Sequence, residues 1–410
     1  MRPRALDMLK IWALQLALSV GGLASPHGQQ PLGNDPAIPA PSTVAGTISM
    51  ALFATLERLA RLVDITYCIG TTGVSKPFEC VSRCSNFPTL SLVTTWNTGA
   101  LMSDSCGFIA VDHGVQQRDT AASNSIYTTG GPAIVVAFRG TYSITNTVVD
   151  LSTVPQKYVP YPSPDNGGED PPEKPEHECT NCTVHMGFLD SWKNARSLVI
   201  PELQQLRTQY PSYPIQLVGH SLGGAVACLA ALEVKVSLGW EDVVVTTFGE
   251  PRVGNSGLAR FVDEVFHLDG QKDLEERAYR RVTHQEDPIP LLPLGEWGYQ
   301  SHAGEIFISK KDLSPSEDDV HVCVGDHDPK CIAKDDDNML EYMRRLLRFR
   351  HAASTSDESI EAELFPSRFK LWQLFFAHRD YFWRLGLCVP GGDPANWGRN
   401  PYGSPGPDEL

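Results

Sequence analysis

The chain has 410 residues, 41% of them hydrophobic, which is enough to bury a large core and too many for a disordered tail. Its 34 basic residues stand against 49 acidic ones, and the formal charge of -15 repels nucleic-acid phosphates, which sets DNA and RNA aside as partners. Ten cysteines suit an oxidising compartment and imply several structural disulfides.

Residues 1–24 carry Arg2, Arg4 and Lys10, then thirteen uncharged residues at 11–23, then Ala24. That order is expected of a secretory signal peptide, and thirteen residues fall short of the roughly 20 that a spanning helix needs. Residues 25–44 hold five prolines and few large apolar side chains, so a linker or propeptide is expected there. From 45 to 67, Met50, Phe53, Leu56, Leu59, Leu62 and Ile65 recur at helical spacing and predict one amphipathic helix that opens the globular part. Short β-rich runs then alternate with helical patterns: strands at 107–111, 133–138, 215–218, 243–248 and 279–283, and helices at 188–210 and from Leu222 onward. Such alternation predicts an α/β sheet with helices packed on it. Residues 160–178, with six prolines and six acidic residues, and residues 312–337, with nine acidic residues, read as solvated surface insertions.

The stretch Gly219-His220-Ser221-Leu222-Gly223-Gly224 links an apolar strand to an alanine-rich helix, the form of a nucleophile elbow. So sharp a turn leaves almost no room for side chains beside the serine, which explains Gly219 and Gly223. It also lifts the Ser221 hydroxyl to the head of a helix, where the Leu222 N–H and the helix field can receive an oxyanion. A serine hydroxyl needs a histidine to take its proton and a carboxylate to orient that histidine, in the chain order serine, acid, histidine. Asp287, just past the strand at 279–283, is the candidate acid, with Glu286 as a neighbouring rival and a turn-capping role open to Asp287 itself. Five histidines follow: His302, His321, His327, His351 and His378. The pattern of the residues does not choose among them.

Beyond the elbow, Phe138-Arg139-Gly140-Thr141, His185-Met186-Gly187-Phe188, Gly249-Glu250-Pro251-Arg252-Val253-Gly254-Asn255, Asp287-Pro288-Ile289-Pro290 and a late histidine before a final cysteine occur in one order. From about residue 47 to 388 the chain thereby resembles the fungal class 3 lipases, secreted triacylglycerol lipases of the filamentous-fungus type. The resemblance implies an α/β-hydrolase fold, with a mostly parallel central sheet and helices on both faces, in a single domain of residues 45–390 followed by a flexible tail at 391–410. It implies Asp287 as the acid, His378 as the base and Thr141 as the second oxyanion donor beside Leu222. His185 would be a structural hydrogen-bonding residue. A lid is implied at 143–151, with Ile144, Val148, Val149 and Leu151 as its apolar residues. The pairs Cys68 with Cys388, Cys80 with Cys84, and Cys179 with Cys182 follow from the same resemblance, whereas Cys323 with Cys331 is inferred from their short spacing. Cys106 and Cys228 are left over, Cys228 as a buried thiol. Asn181-Cys182-Thr183 is a glycosylation sequon, with Asn181 as the acceptor. The reading is a secreted serine lipase acting on acylglycerol esters at a lipid–water interface through an acyl-enzyme, with no metal and no cofactor. Phospholipid or feruloyl esters are the alternative substrates, and a non-catalytic secreted binding protein on a hydrolase scaffold is the alternative of another class.

Overall fold

The computed structural model describes residues 46–99, 104–114, 131–141, 151, 158–160, 179–268, 276–335 and 376–390, all within the compact unit Val44–Leu410. Ser49 caps the first helix, α1 (Met50–Ile65), by accepting the Leu52 N–H at 3.2 Å. Leu52, Leu56, Leu59 and Leu62 form its buried stripe, while Met50, read as part of that stripe, overhangs the first turn and is 63% exposed.

Eight strands make the main sheet. They are β1 (Leu90–Asn97), β2 (Cys106–Asp112), β3 (Ala133–Phe138), β6 (Ile215–His220), β7 (Val243–Phe248), β9 (Tyr279–His284), β11 (Glu305–Ile308) and β12 (Val320–Val322), side by side in that order. From β3 through β11 each neighbouring pair is parallel, and antiparallel strands close both edges. Four short strands, β4 (Tyr158–Pro160), β5 (Thr183–His185), β8 (Gly254–Asn255) and β10 (Tyr299–Gln300), form a second small sheet.

The central strands read as continuous apolar runs because both faces are covered. In β3, Ile134, Val136 and Phe138 pack into one core, shared with α2 (Met186–Gln209), α3 (Leu222–Leu232) and α4 (Ser256–Val265). Ala133, Val135 and Ala137 pack into the other, shared with α1 and with Tyr381, Phe382, Trp383 and Leu385 near the C-terminal end. The protein therefore has an α/β-hydrolase architecture. Because β3, β6, β7 and β9 run the same way, the loops after their C-terminal ends gather on one edge, where open α/β sheets place their ligands.

The acidic segment 312–337 is more than a solvated face. Val320 and Val322 are buried within it, and β12 pairs with β11 to finish the main sheet. Its charge count hides a three-residue alternation too short to be read as a strand. Disulfides join Cys68 to Cys388, Cys80 to Cys84, Cys179 to Cys182 and Cys323 to Cys331, and Cys106 and Cys228 are buried free thiols. The Cys68–Cys388 bridge spans 320 residues, for which loop-closure entropy gives about 6 kcal/mol. No helix among the described residues is long and apolar enough to cross a membrane.

Candidate active site

Ser221 stands between β6 and α3 with φ 58° and ψ -130°, a backbone conformation that a non-glycine residue holds only when its surroundings impose it. The surroundings here are backbone. A Cβ on Gly219 would lie 2.2 Å from the Gly223 carbonyl oxygen, and one on Gly223 would lie 2.5 Å from that of Phe138. Any side chain at either position would force the elbow open. Leu222 is the first residue of α3, so its N–H has no carbonyl one turn back to bond. The loop after β3 passes over the serine: a Cβ on Gly140 would be 2.8 Å from Ser221 Cβ, and Thr141 follows it at the half-buried rim.

Asp287 lies three residues beyond β9, fully enclosed, and four polar contacts converge on its carboxylate. His378 Nδ1 is 2.9 Å from Oδ1 and 2.8 Å from Oδ2, the Ile289 N–H donates to Oδ1 at 2.9 Å, and the Tyr381 hydroxyl donates to Oδ2. The turn-capping role and the histidine-orienting geometry thus coexist in one side chain. Glu286 is exposed and pairs with Lys311 at 2.9 Å, away from this cluster. Burial and the adjacent Asp287 charge push the Tyr381 phenol well above its ordinary range, so it stays a neutral donor.

With Nδ1 engaged by the carboxylate, His378 presents Nε2 as its free nitrogen. His378 Nε2 and Ser221 Oγ are both buried and both without a hydrogen-bond partner among the described residues. Orphaned buried polar atoms are costly, and a pair of them at one site marks where a reacting group completes the arrangement. Chemically, the cluster can pass a proton from a hydroxyl to a carboxylate-anchored imidazole and hold negative charge at a helix N-terminus.

The other downstream histidines are occupied or distant in role. His302 Nδ1 bonds the Ala303 carbonyl at 2.7 Å and its Nε2 meets Glu250 Oε1 at 3.1 Å, so both nitrogens are used. His321 is half-buried on β12, His327 is exposed, and His351 lies outside the described residues. Glu250, of the Gly-Glu-Pro-Arg stretch, also accepts from Thr247 at 2.6 Å and from Tyr279 at 2.8 Å. Arg252 donates to the Leu291 carbonyl at 2.8 Å and thereby braces the loop behind Asp287. Cys228, Glu250 and His302 lie close enough to share an ion, but Glu250 and His302 already satisfy each other.

His185 caps α2, its Nδ1 accepting the Phe188 N–H at 3.3 Å while its ring stacks on Phe188 at 4.1 Å. Burial lowers its pKa to about 4. Between that value and the unfolded value near 6.5 the unfolded chain binds the proton and the native state refuses it, so stability rises with pH through this window. His185→Gln is expected to shrink the gap between denaturant midpoints at pH 4.5 and pH 7.5. An undiminished gap would place the sensitivity elsewhere.

Of the lid residues, Leu151 is fully buried in the core with Phe138 and Leu222, while Ile144, Val148 and Val149 lie outside the described residues. Asn181 is exposed at a left-handed position, φ 56°, inside the Cys179–Cys182 turn. Tyr67 and Tyr381 are not legible as site residues, since they reach the cluster through contacts across 153 and 94 positions of chain, and the role of His220, though it adjoins Ser221, rests on its contact with the His378 carbonyl 158 positions away.

Comparison with known proteins gives this geometry its setting. The chain is 66% identical over 409 residues to the secreted mono- and diacylglycerol lipase 2 of Gibberella zeae, covering 100% of this chain and 99% of that one. It belongs to the class 3 lipase family. The family model described as Lipase (class 3) matches residues 135–297, which include Ser221 and Asp287 and stop short of His378. Lipase A of Sodiomyces alcalophilus is 59% identical over 399 residues, covering 96% of this chain and 92% of the relative. Among solved structures, the Lip2 lipase of Yarrowia lipolytica superposes with a TM-score of 0.64 at 27% identity, over 85% of this chain and 99% of that one. This class 3 lipase is a secreted carboxylic ester hydrolase.

Proposed function

We propose that this lipase cleaves the ester bonds of mono- and diacylglycerols at a lipid–water interface, with Ser221 as nucleophile, His378 as base and Asp287 as its orienting acid. The observation that carries the reading is that Ser221 Oγ, at the head of α3, and His378 Nε2, whose ring stacks on the neighbouring His220, are both buried and without a hydrogen-bond partner among the described residues. Ser221 Oγ attacks the acyl carbonyl carbon as its proton passes to His378 Nε2. Asp287 remains ionised and stabilises the imidazolium through Nδ1. The carbonyl oxygen takes up negative charge, received by the backbone N–H groups of Leu222 and Thr141 and by the field of α3. Collapse expels the glycerol oxygen, which takes the proton from His378 Nε2 and leaves an acyl-enzyme. Water then adds to the acyl carbon, giving its proton to His378, and the second collapse returns Ser221 and frees the fatty acid.

Substrate class follows the Gibberella zeae relative, which is named for mono- and diacylglycerols and matches along its whole length. Initial rates on matched mono-, di- and triacylglycerols, a phospholipid and methyl ferulate test the assignment. Highest kcat/KM on the mono- and diacylglycerols is expected, with specific activity rising as substrate passes its solubility limit. A preference for triacylglycerol, phospholipid or methyl ferulate would overturn the substrate assignment while leaving the chemistry intact.

A further inference from the structure

Helix α1 runs into the short turn Thr66–Cys68, whose middle residue, Tyr67, is buried beneath the nucleophile elbow. Its hydroxyl lies 2.6 Å from His220 Nδ1, and His220 Nε2 lies 2.8 Å from the backbone carbonyl of His378. Proton positions follow from the partners. A carbonyl oxygen only accepts, so His220 Nε2 carries a proton. Burial, with His378 beside it, keeps His220 neutral, so Nδ1 is bare and the Tyr67 hydroxyl donates to it. The Gly140 backbone packs against the same phenolic oxygen, close enough for its N–H to donate there. The result is one directional chain: Gly140 N–H to Tyr67 oxygen, Tyr67 O–H to His220 Nδ1, and His220 Nε2–H to the His378 carbonyl.

The ends of that chain are the proposed oxyanion loop and the proposed base. Gly140 precedes Thr141 in the oxyanion loop, and a Cβ on Gly140 would meet Tyr67 Oη at 2.6 Å and Ser221 Cβ at 2.8 Å. His378 stacks on His220 with ring centroids 4.6 Å apart and planes 27° from parallel, so the bond to its carbonyl and the stacking together set the imidazole's place. Further moorings run to the same turn. Arg139 Nη1 donates to the Ile69 carbonyl at 2.6 Å, and Cys68 is bridged to Cys388, ten residues past His378.

We propose that Tyr67 is a positioning residue which, through His220, holds the base and the oxyanion loop in mutual register around Ser221. The inference rests on the triad assignment above and adds a residue to it that touches neither substrate nor reacting atoms. Hydrogen bonds linked in series reinforce one another, so loss of the phenolic oxygen releases both ends at once.

The test is Tyr67→Phe, which keeps the buried ring and removes only the oxygen. A loss of about 10- to 100-fold in kcat is expected, with KM changed by less than about threefold, because misplacement of reacting groups weakens the transition state and leaves ground-state binding in place. The rate constant for inactivation by a serine-directed phosphonate should fall with kcat, since it depends on the same attack. His220→Gln keeps a side-chain donor and acceptor and is expected to retain more activity than His220→Ala. Combining Tyr67→Phe with His220→Ala should cost less than the product of the separate losses, since one chain cannot be cut twice. A folded Tyr67→Phe protein with a lowered melting temperature and unchanged kcat would overturn the proposal, as would fully multiplicative losses in the double variant. Turnover surviving in Ser221→Ala would instead overturn the triad assignment, so the two failures are distinguishable.

Discussion

Ser221→Ala is expected to lower kcat by about 10⁶-fold while the protein keeps its fold. The magnitude reflects the loss of the acyl-enzyme route as a whole. Without Oγ no covalent intermediate forms, and the remaining groups can only polarise the ester for direct attack by water. The fold should survive because Ser221 contributes little through its side chain: Oγ has no hydrogen-bond partner among the described residues, and the turn is held by glycine backbones packed against the end of β3. Alanine relieves a buried unsatisfied oxygen, so the denaturant midpoint of the variant should equal or exceed that of the parent. Activity within tenfold of the parent, measured on purified protein with an acylglycerol, would end the proposed mechanism.

The second large effect concerns the base. His378→Ala is expected to be about as damaging as Ser221→Ala, because the members of a serine triad act as a unit. His302→Gln should retain most of the activity, since His302 is engaged with Glu250 and the Ala303 carbonyl and serves the sheet rather than the serine. His302→Gln is chosen over alanine because truncation would leave the buried Oε1 of Glu250 without the hydrogen bond it has from His302, a loss of about 1–3 kcal/mol unrelated to catalysis. Steady-state kinetics of the two variants side by side check the assignment. The reverse ranking would show that the base is His302.

How far these features are visible in the residues depends on the distance over which their causes act. The strands Ala133–Phe138 and Val243–Phe248 have the bounds that their apolar runs predict, because burial on both faces demands an unbroken run. Strand β1 is not legible, since its register shifts between Leu92 and Thr94 and the polar residues Ser91, Thr94 and Thr95 interrupt the apolar pattern on both of its faces. Helix α4 is not legible either: its start depends on Asn255, which caps it by accepting the Leu258 N–H at 3.0 Å and stands in the sequence as one residue of the Gly249–Asn255 motif. The nucleophile is legible because the constraint on it is local, a turn whose flanking positions exclude side chains. The histidine is not, because what selects His378 is an acid 91 residues away and a neighbouring imidazole on β6. Only resemblance to the class 3 lipases could point to it from sequence. Tyr381 and Tyr67 lie beyond even that, since their contacts arise from the packing of α1 and of the segment around Tyr381 against one face of the sheet.

The central claim is that one serine carries the acyl group, and covalent labelling tests it most directly. The protein is treated with an alkyl phosphonate ester until activity is lost, and the adduct is counted and located by peptide mass spectrometry. The account predicts one label per molecule on the peptide containing Ser221, with inactivation proportional to labelling. Full labelling of another serine, or complete inactivation with Ser221 unmodified, would contradict it.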